Sequence, residues 1–137
     1  MITINSVNDF VLTDDQLVIK WIEFVIHHEN KELGEIDYVF CGDDFLLEMN
    51  IKTLKHNTLT DIISFDYTIQ DIISGDIYIS TDRVDDNTTH FNTGFMDELH
   101  RVMIHGIMHY CGYKDKSPEE KNIMRAKEDY YLSLRTF

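Results

Sequence analysis

Cysteine, proline and positive charge are all scarce in this chain. Its 137 residues include two cysteines, Cys41 and Cys111, far apart and without C-x-x-C spacing. They encode neither a disulfide framework nor a thiolate metal clip, and a reduced, cytoplasmic compartment is expected. One proline and six glycines leave no linker-like or low-complexity tract, and no internal repeat is visible. Twelve Lys and Arg stand against 25 Asp and Glu, a formal net charge of −13 at pH 7. That balance opposes a broad electrostatic grip on nucleic acid. No apolar run approaches the ~18 residues of a membrane span, and Met1-Ile2-Thr3-Ile4-Asn5 lacks the basic flank and apolar block of a secretory signal. No membrane partner is expected.

What is present is the material of a folded protein: 43% hydrophobic and 27% charged residues. Residues 1–137 are read as one domain, long enough to bury roughly 68–70% of the surface it would expose unfolded. The few basic residues are unevenly placed. Seven of the twelve fall at or after Arg101, and Lys52, Lys55 and His56 cluster in mid-chain, so an acidic body can still carry a local basic rim.

Periodicity predicts the elements in order. Ile2 and Ile4 alternate with polar neighbours as an edge strand does. Thr13-Asp14-Asp15-Gln16 fits a capping box opening a helix to about His28, with Leu17, Trp21, Phe24 and Val25 as its buried stripe. Glu35 to Cys41 reads as a strand ended by Gly42, and Asp43 as the cap of a second helix carrying Phe45, Leu46, Met49 and Ile51. Thr53 to Thr60 reads as a loop. Asp61 to Tyr67 and Asp76 to Ser80 read as strands with Gly75 at the turn between them, followed by a short helix from Thr81 or Asp82 that fades before Asn92. A long helix is expected from about Thr93 to Cys111, and Ser117-Pro118-Glu119-Glu120 opens a last one to about Leu134 through an N-cap serine, a proline at the first helical position and a capping glutamate. Strands and helices that do not alternate strictly predict an α+β fold: a small mixed β-sheet packed with helices, the long helix near its centre.

That helix carries the chemistry. His105 and His109 lie four residues apart, on one helix face, where one ion can bridge them. Gly112 can take the left-handed conformation that ends a helix and turns Asp115 back towards the same ion. Two imidazoles and a carboxylate leave a coordination position open for chemistry. Gly106 occupies the place of the general-base glutamate in the zinc-protease motif H-E-x-x-H, which argues against peptide hydrolysis by that machinery. Glu98 points the same way as the histidines but, seven residues before His105, lies too far along the axis to share the ion, and is read as a surface or supporting residue. Cys111, Trp21 and Tyr110 are read as packing residues, and His27, His28, His90 and His100 as solvent-facing or locally bonded.

The segment His105-Gly106-x-x-His109-x-x-Gly112-Tyr113 resembles the signature of the YbeY family of bacterial metal-dependent endoribonucleases, H-G-x-L-H-L-x-G-Y-D-H. Asn50 followed by Thr60-Asp61-Ile62-Ile63-Ser64-Phe65 is similar to that family's N…T-D-V-L-S-F segment, and Gly75-Asp76-Ile77-Tyr78-Ile79-Ser80 to its G-D-I-x-I-S strand. The resemblance implies cleavage of single-stranded RNA in ribosomal RNA maturation, with one divalent metal, zinc being the expected ion, on His105, His109 and Asp115. It departs from the family at two points. Asp115 stands in place of the third histidine; a carboxylate offsets one charge of the ion and makes it a weaker Lewis acid. Leu54 stands where the family carries an arginine, leaving Lys55 and His56 as the nearest candidates for catalytic charge stabilisation or proton transfer, with Thr60 as a candidate substrate contact. Two rival readings remain open at this level: a metal-stapled assembly factor that binds a small-subunit ribosomal protein without cleaving RNA, and a two-histidine, one-carboxylate iron(II) oxygenase.

Overall fold

The computed structural model describes residues 1–137, a four-stranded mixed sheet with helices packed on it. The elements are β1 (Ile2–Ser6), α1 (Asp15–His28), β2 (Glu32–Cys41), α2 (Asp43–Met49), a π-helical turn (Asn50–Leu54), β3 (Ile62–Asp66), β4 (Ile72–Ser80), α3 (Thr81–Phe91), α4 (Phe95–Tyr110) and α5 (Pro118–Ser133). Sheet order is β1-β2-β4-β3; β1, β2 and β4 run parallel, and β3 pairs antiparallel with β4. This is the expected α+β class.

The main core lies on one sheet face. Ile36, Tyr38 and Phe40 of β2 and Ile73, Ile77 and Ile79 of β4 alternate inward and meet Val18, Ile22 and Val25 of α1 and Leu99, Met103 and Ile107 of α4. On the opposite face α2 covers a smaller cluster of Cys41, Leu46 and Ile63. α4 contacts the sheet, α1, α3 and α5, and so buries residues around most of its circumference, Ile104 and Met108 as well as Leu99, Met103 and Ile107. This central position is why Glu98, read as a surface or supporting residue, is 3% exposed, and why His100, read as solvent-facing or locally bonded, is the latter, 4% exposed and bonded to Arg135.

Local chemistry departs from expectation at several places. Asp14 sits in the left-handed region (φ 56°), so the predicted Thr13–Gln16 capping box does not form. The buried stripe of α1 is Val18, Trp21, Ile22, Val25 and Ile26, a clean i, i+3, i+4, i+7, i+8 set. Leu17 and Phe24 fall at its margin and stay exposed beside Leu134 and Phe137. Gly42, not Asp43, precedes α2, because the Asp43 carboxylate is engaged by the Ser80 hydroxyl at 2.8 Å and by Arg83 Nε at 3.0 Å. Phe45 and Ile51 are exposed, and the helix continues as the π turn to Leu54, so the loop begins later than Thr53. β4 starts at Ile72, which places Gly75 inside the strand rather than in the turn. Ser80, ahead of Thr81 and Asp82, caps α3 by accepting the Arg83 N–H at 3.2 Å. α5 opens with the predicted capping box of Ser117 and Glu120, Pro118 occupying the first turn.

Candidate metal centre

The last turn of α4 and the bend after it build the site. Gly112, at φ +102°, closes the helix: its N–H donates to the His109 carbonyl at 3.0 Å and the Tyr113 N–H to the Met108 carbonyl at 3.0 Å. This pair of bonds is a Schellman motif, which a residue with a Cβ would strain. The reversed chain brings the Asp115 carboxylate back over the helix. Its Oδ2 lies 3.1 Å from His105 Nε2 and 3.3 Å from His109 Nε2, and the two Nε2 atoms are 3.0 Å apart. Tyr113 steadies the bend by donating its hydroxyl to Glu29 at 2.7 Å, where Tyr131 and Lys127 also converge.

One further residue completes the arrangement and was not singled out in the sequence. Glu128 of α5, 4% exposed, takes His105 Nδ1 at 2.7 Å, while Arg101 donates to its other oxygen at 3.0 Å and to Asp129 at 2.7 Å. With Nδ1 carrying the proton, His105 Nε2 presents its lone pair to Asp115 and His109. Burial disfavours a charged His105, but the Glu128 hydrogen bond and the negative charges of Glu128, Asp115 and Asp61 outweigh it and lift its pKa above the ordinary histidine value. The signal in the sequence was a charged residue on the buried stripe of α5, between Met124 and Tyr131.

Three lone-pair donors aimed at one another leave too few protons to pair them all; a cation resolves this. Their separations of 3.0–3.3 Å match the edge of about 3.3 Å expected for tetrahedral ligands at metal distances near 2.0–2.1 Å. His105, His109 and Asp115 can therefore hold a divalent ion, their donor atoms all lying within 4.8 Å of one another.

The site opens into a cleft of about 370 Å³ whose walls include Asp61, Asn87, Phe91, Lys121, Arg125 and Glu128. Burial raises the Asp61 carboxyl above the usual range, against the opposing influence of His105 and of the Asn87 amide, which donates to it at 3.3 Å. Glu98 also reaches the cleft wall and accepts the Thr93 hydroxyl at 3.2 Å. Lys55, at φ 57°, and His56 are exposed on the loop after the π turn and are not among the cleft-lining residues; Thr60 is half-buried and donates its hydroxyl to the Ile62 carbonyl at 3.3 Å. Asn50, buried, donates to the Thr58 carbonyl at 2.9 Å and pins that loop. The thiols are inert packing groups: burial pushes Cys111 up to about 12 and Cys41 up to about 11.

The chain is similar to proteins of one family over nearly its whole length. The family profile described as Endoribonuclease YbeY matches residues 4–135. Proteins named Endoribonuclease YbeY from Flavobacterium psychrophilum and Flavobacterium johnsoniae are 53% and 50% identical over 134 residues, each alignment covering 98% of this chain and 96% of the relative. The protein of that name from Bacteroides thetaiotaomicron is 47% identical over 116 residues, 85% of either chain. A solution structure from Thermotoga maritima superimposes with a TM-score of 0.70 at 25% identity, covering 97% of this chain and 87% of that one. The chain therefore belongs to the YbeY endoribonuclease family.

Proposed function

We propose that the protein is a metal-dependent endoribonuclease that cuts single-stranded RNA during ribosomal RNA maturation in the cytoplasm, with zinc as its ion. The observation that carries this reading is the convergence of His105 Nε2, His109 Nε2 and Asp115 Oδ2 at the mouth of a cleft, in a chain of this family. When bound, the ion supplies Lewis acidity towards phosphoryl oxygens and water. Glu128 holds His105 in the tautomer that leaves Nε2 free. Asp61, half-buried on the cleft wall and held by the Asn87 amide, is the carboxyl placed to exchange a proton with water or the leaving oxygen. The loop of Lys55, His56 and Thr60 runs directly into Asp61 and Ile62 of the cleft wall, which supports a role for these residues on the RNA where it leaves the cleft. The net charge of −13 suits docking on a basic protein of the small ribosomal subunit. No helix is long and apolar enough to cross a membrane.

The test compares wild type and His109→Ala, both purified free of host nucleases, on single-stranded RNA with zinc, manganese or magnesium added. Loss of a ligand should cost at least about 100-fold in cleavage rate, beyond the 10–100-fold typical of outer partners, with the helical circular dichroism retained. Chelation should silence wild type, and added metal restore it. Equal cleavage by both proteins would defeat the assignment.

A further inference from the structure

The two walls of the cleft differ in chemistry, and neither is needed to hold the ion. On α5, Lys121 and Arg125 lie four residues apart, hence on one helix face, and both line the cleft. Neither makes an ion pair; of the other ten cations Lys31, Lys52, Arg83, Arg101, Lys127 and Arg135 do, while Lys20, Lys55, Lys114 and Lys116 are also unpaired but do not line the cleft. On a chain with 25 carboxylates against twelve cations, two unspent cations side by side in a cleft are suited to an anion brought from outside. Arg101, in the same cleft, is already neutralised by Glu128 and Asp129.

The other wall belongs to α3. Asn87 and Phe91 are also four residues apart and also line the cleft. Phe91 is 57% exposed, lines the cleft and has no aromatic partner, so its ring face is open to a stacking group. Asn87 is fixed by the hydrogen bond its amide nitrogen donates to Asp61, which leaves the amide oxygen available to a donor. One cleft lined by two cations from α5 and by an aromatic and an amide from α3 offers what a nucleotide needs, a place for phosphate and a place for base.

We propose that the cleft is a two-sided subsite for one strand of RNA: Lys121 and Arg125 take consecutive phosphates along α5, and Phe91 stacks a base on α3, so that the strand crosses the three metal ligands between them. This inference rests on the ribonuclease reading above and adds where the substrate lies. A base inside a duplex is covered on both faces by its neighbours, so the Phe91 wall selects for single strands.

The experiment measures binding of a labelled, phosphorothioate-linked single-stranded RNA decamer across a potassium chloride series, by fluorescence anisotropy, for wild type, Lys121→Ala/Arg125→Ala, Phe91→Ala and Phe91→Trp. Losing two phosphate contacts should flatten the plot of log affinity against log salt by about 1.4, from roughly 0.7 per phosphate on single strands. Phe91→Ala should weaken binding by roughly 5- to 150-fold at every salt concentration with no change of slope, as loss of one stacked base does, and Phe91→Trp should keep affinity near wild type. A duplex of the same sequence should be insensitive to Phe91→Ala, and zinc affinity should be unchanged in all variants. If wild type cleaves single-stranded RNA but the variants bind with wild-type affinity and slope, the subsite is wrong and the ribonuclease reading stands. If wild type neither binds nor cuts single-stranded RNA, both fall.

Discussion

At the scale of single residues, the site depends on Glu128 more than its distance from the ligands in sequence suggests. A histidine with both nitrogens free can present either one. The 2.7 Å bond to Glu128, itself held by Arg101, removes that choice and aims Nε2 at Asp115 and His109. Glu128→Gln keeps the shape but removes the charge that favours the Nδ1 proton and the Arg101 pair. We expect it to weaken divalent-metal affinity by roughly 10–100-fold, as loss of such a partner typically does, read by competition with a chromophoric chelator. Unchanged affinity would mean that His105 orients itself. Asp115 belongs to the same scale: a carboxylate there would lower the net positive charge of a divalent ion held beside it, which an imidazole would not.

Among the elements, the position of α4 on the sheet is set by small residues at close approaches. Inside β4, Gly75 lies under the Tyr110 ring: a Cβ there would come 2.3 Å from the Tyr110 hydroxyl and 2.4 Å from the Phe65 carbonyl. That space lets the Tyr110 hydroxyl donate to the Phe65 carbonyl at 2.9 Å, with the Asp76 carbonyl at 3.1 Å, tying the end of α4 to β3 and β4. Gly106 plays a milder part; the groups it admits are the side chains of Ile77 and Ile62 rather than another backbone. Gly75→Ala therefore has to move either the strand or the tyrosine, and should destabilise by about 1–3 kcal/mol, measured by urea unfolding. Because Tyr110 directly follows His109, metal affinity should fall with it. A variant as stable as wild type would show that the strand yields freely.

Taken as a whole molecule, the protein buries a neutral histidine that makes its stability depend on pH. His100 packs between Trp21 and Phe137, accepts Arg135 through Nδ1 at 2.7 Å, and has no partner for Nε2. Burial, reinforced by the Arg135 charge and only partly opposed by Asp97, pushes its pKa down from 6.5 to about 4. The unfolded chain therefore takes up a proton that the folded one refuses between those values. Its contribution is present above about pH 6.5 and is lost as pH falls towards 4, roughly 2–3 kcal/mol in all. Comparing urea unfolding of wild type and His100→Phe at several pH values across this window isolates the effect, since the other titrating groups are common to both. The wild type should lose stability more steeply on acidification, and parallel curves would rule the mechanism out.

What could be read from the chain alone was whatever depends on neighbours in sequence. The i, i+4 histidines, the helix-ending glycine, the Ser117–Glu120 cap and the strand alternation all follow from helix and strand geometry, so the α+β class and the grouping of His105, His109 and Asp115 were legible before any coordinates. The burial of Glu98 and His100 on a helix enclosed on nearly all sides, the passage of Tyr110 over Gly75, and the reach of Glu128 from α5 to His105 were not. Each depends on which elements pack against α4, a contact between distant parts of the chain that no local spacing encodes.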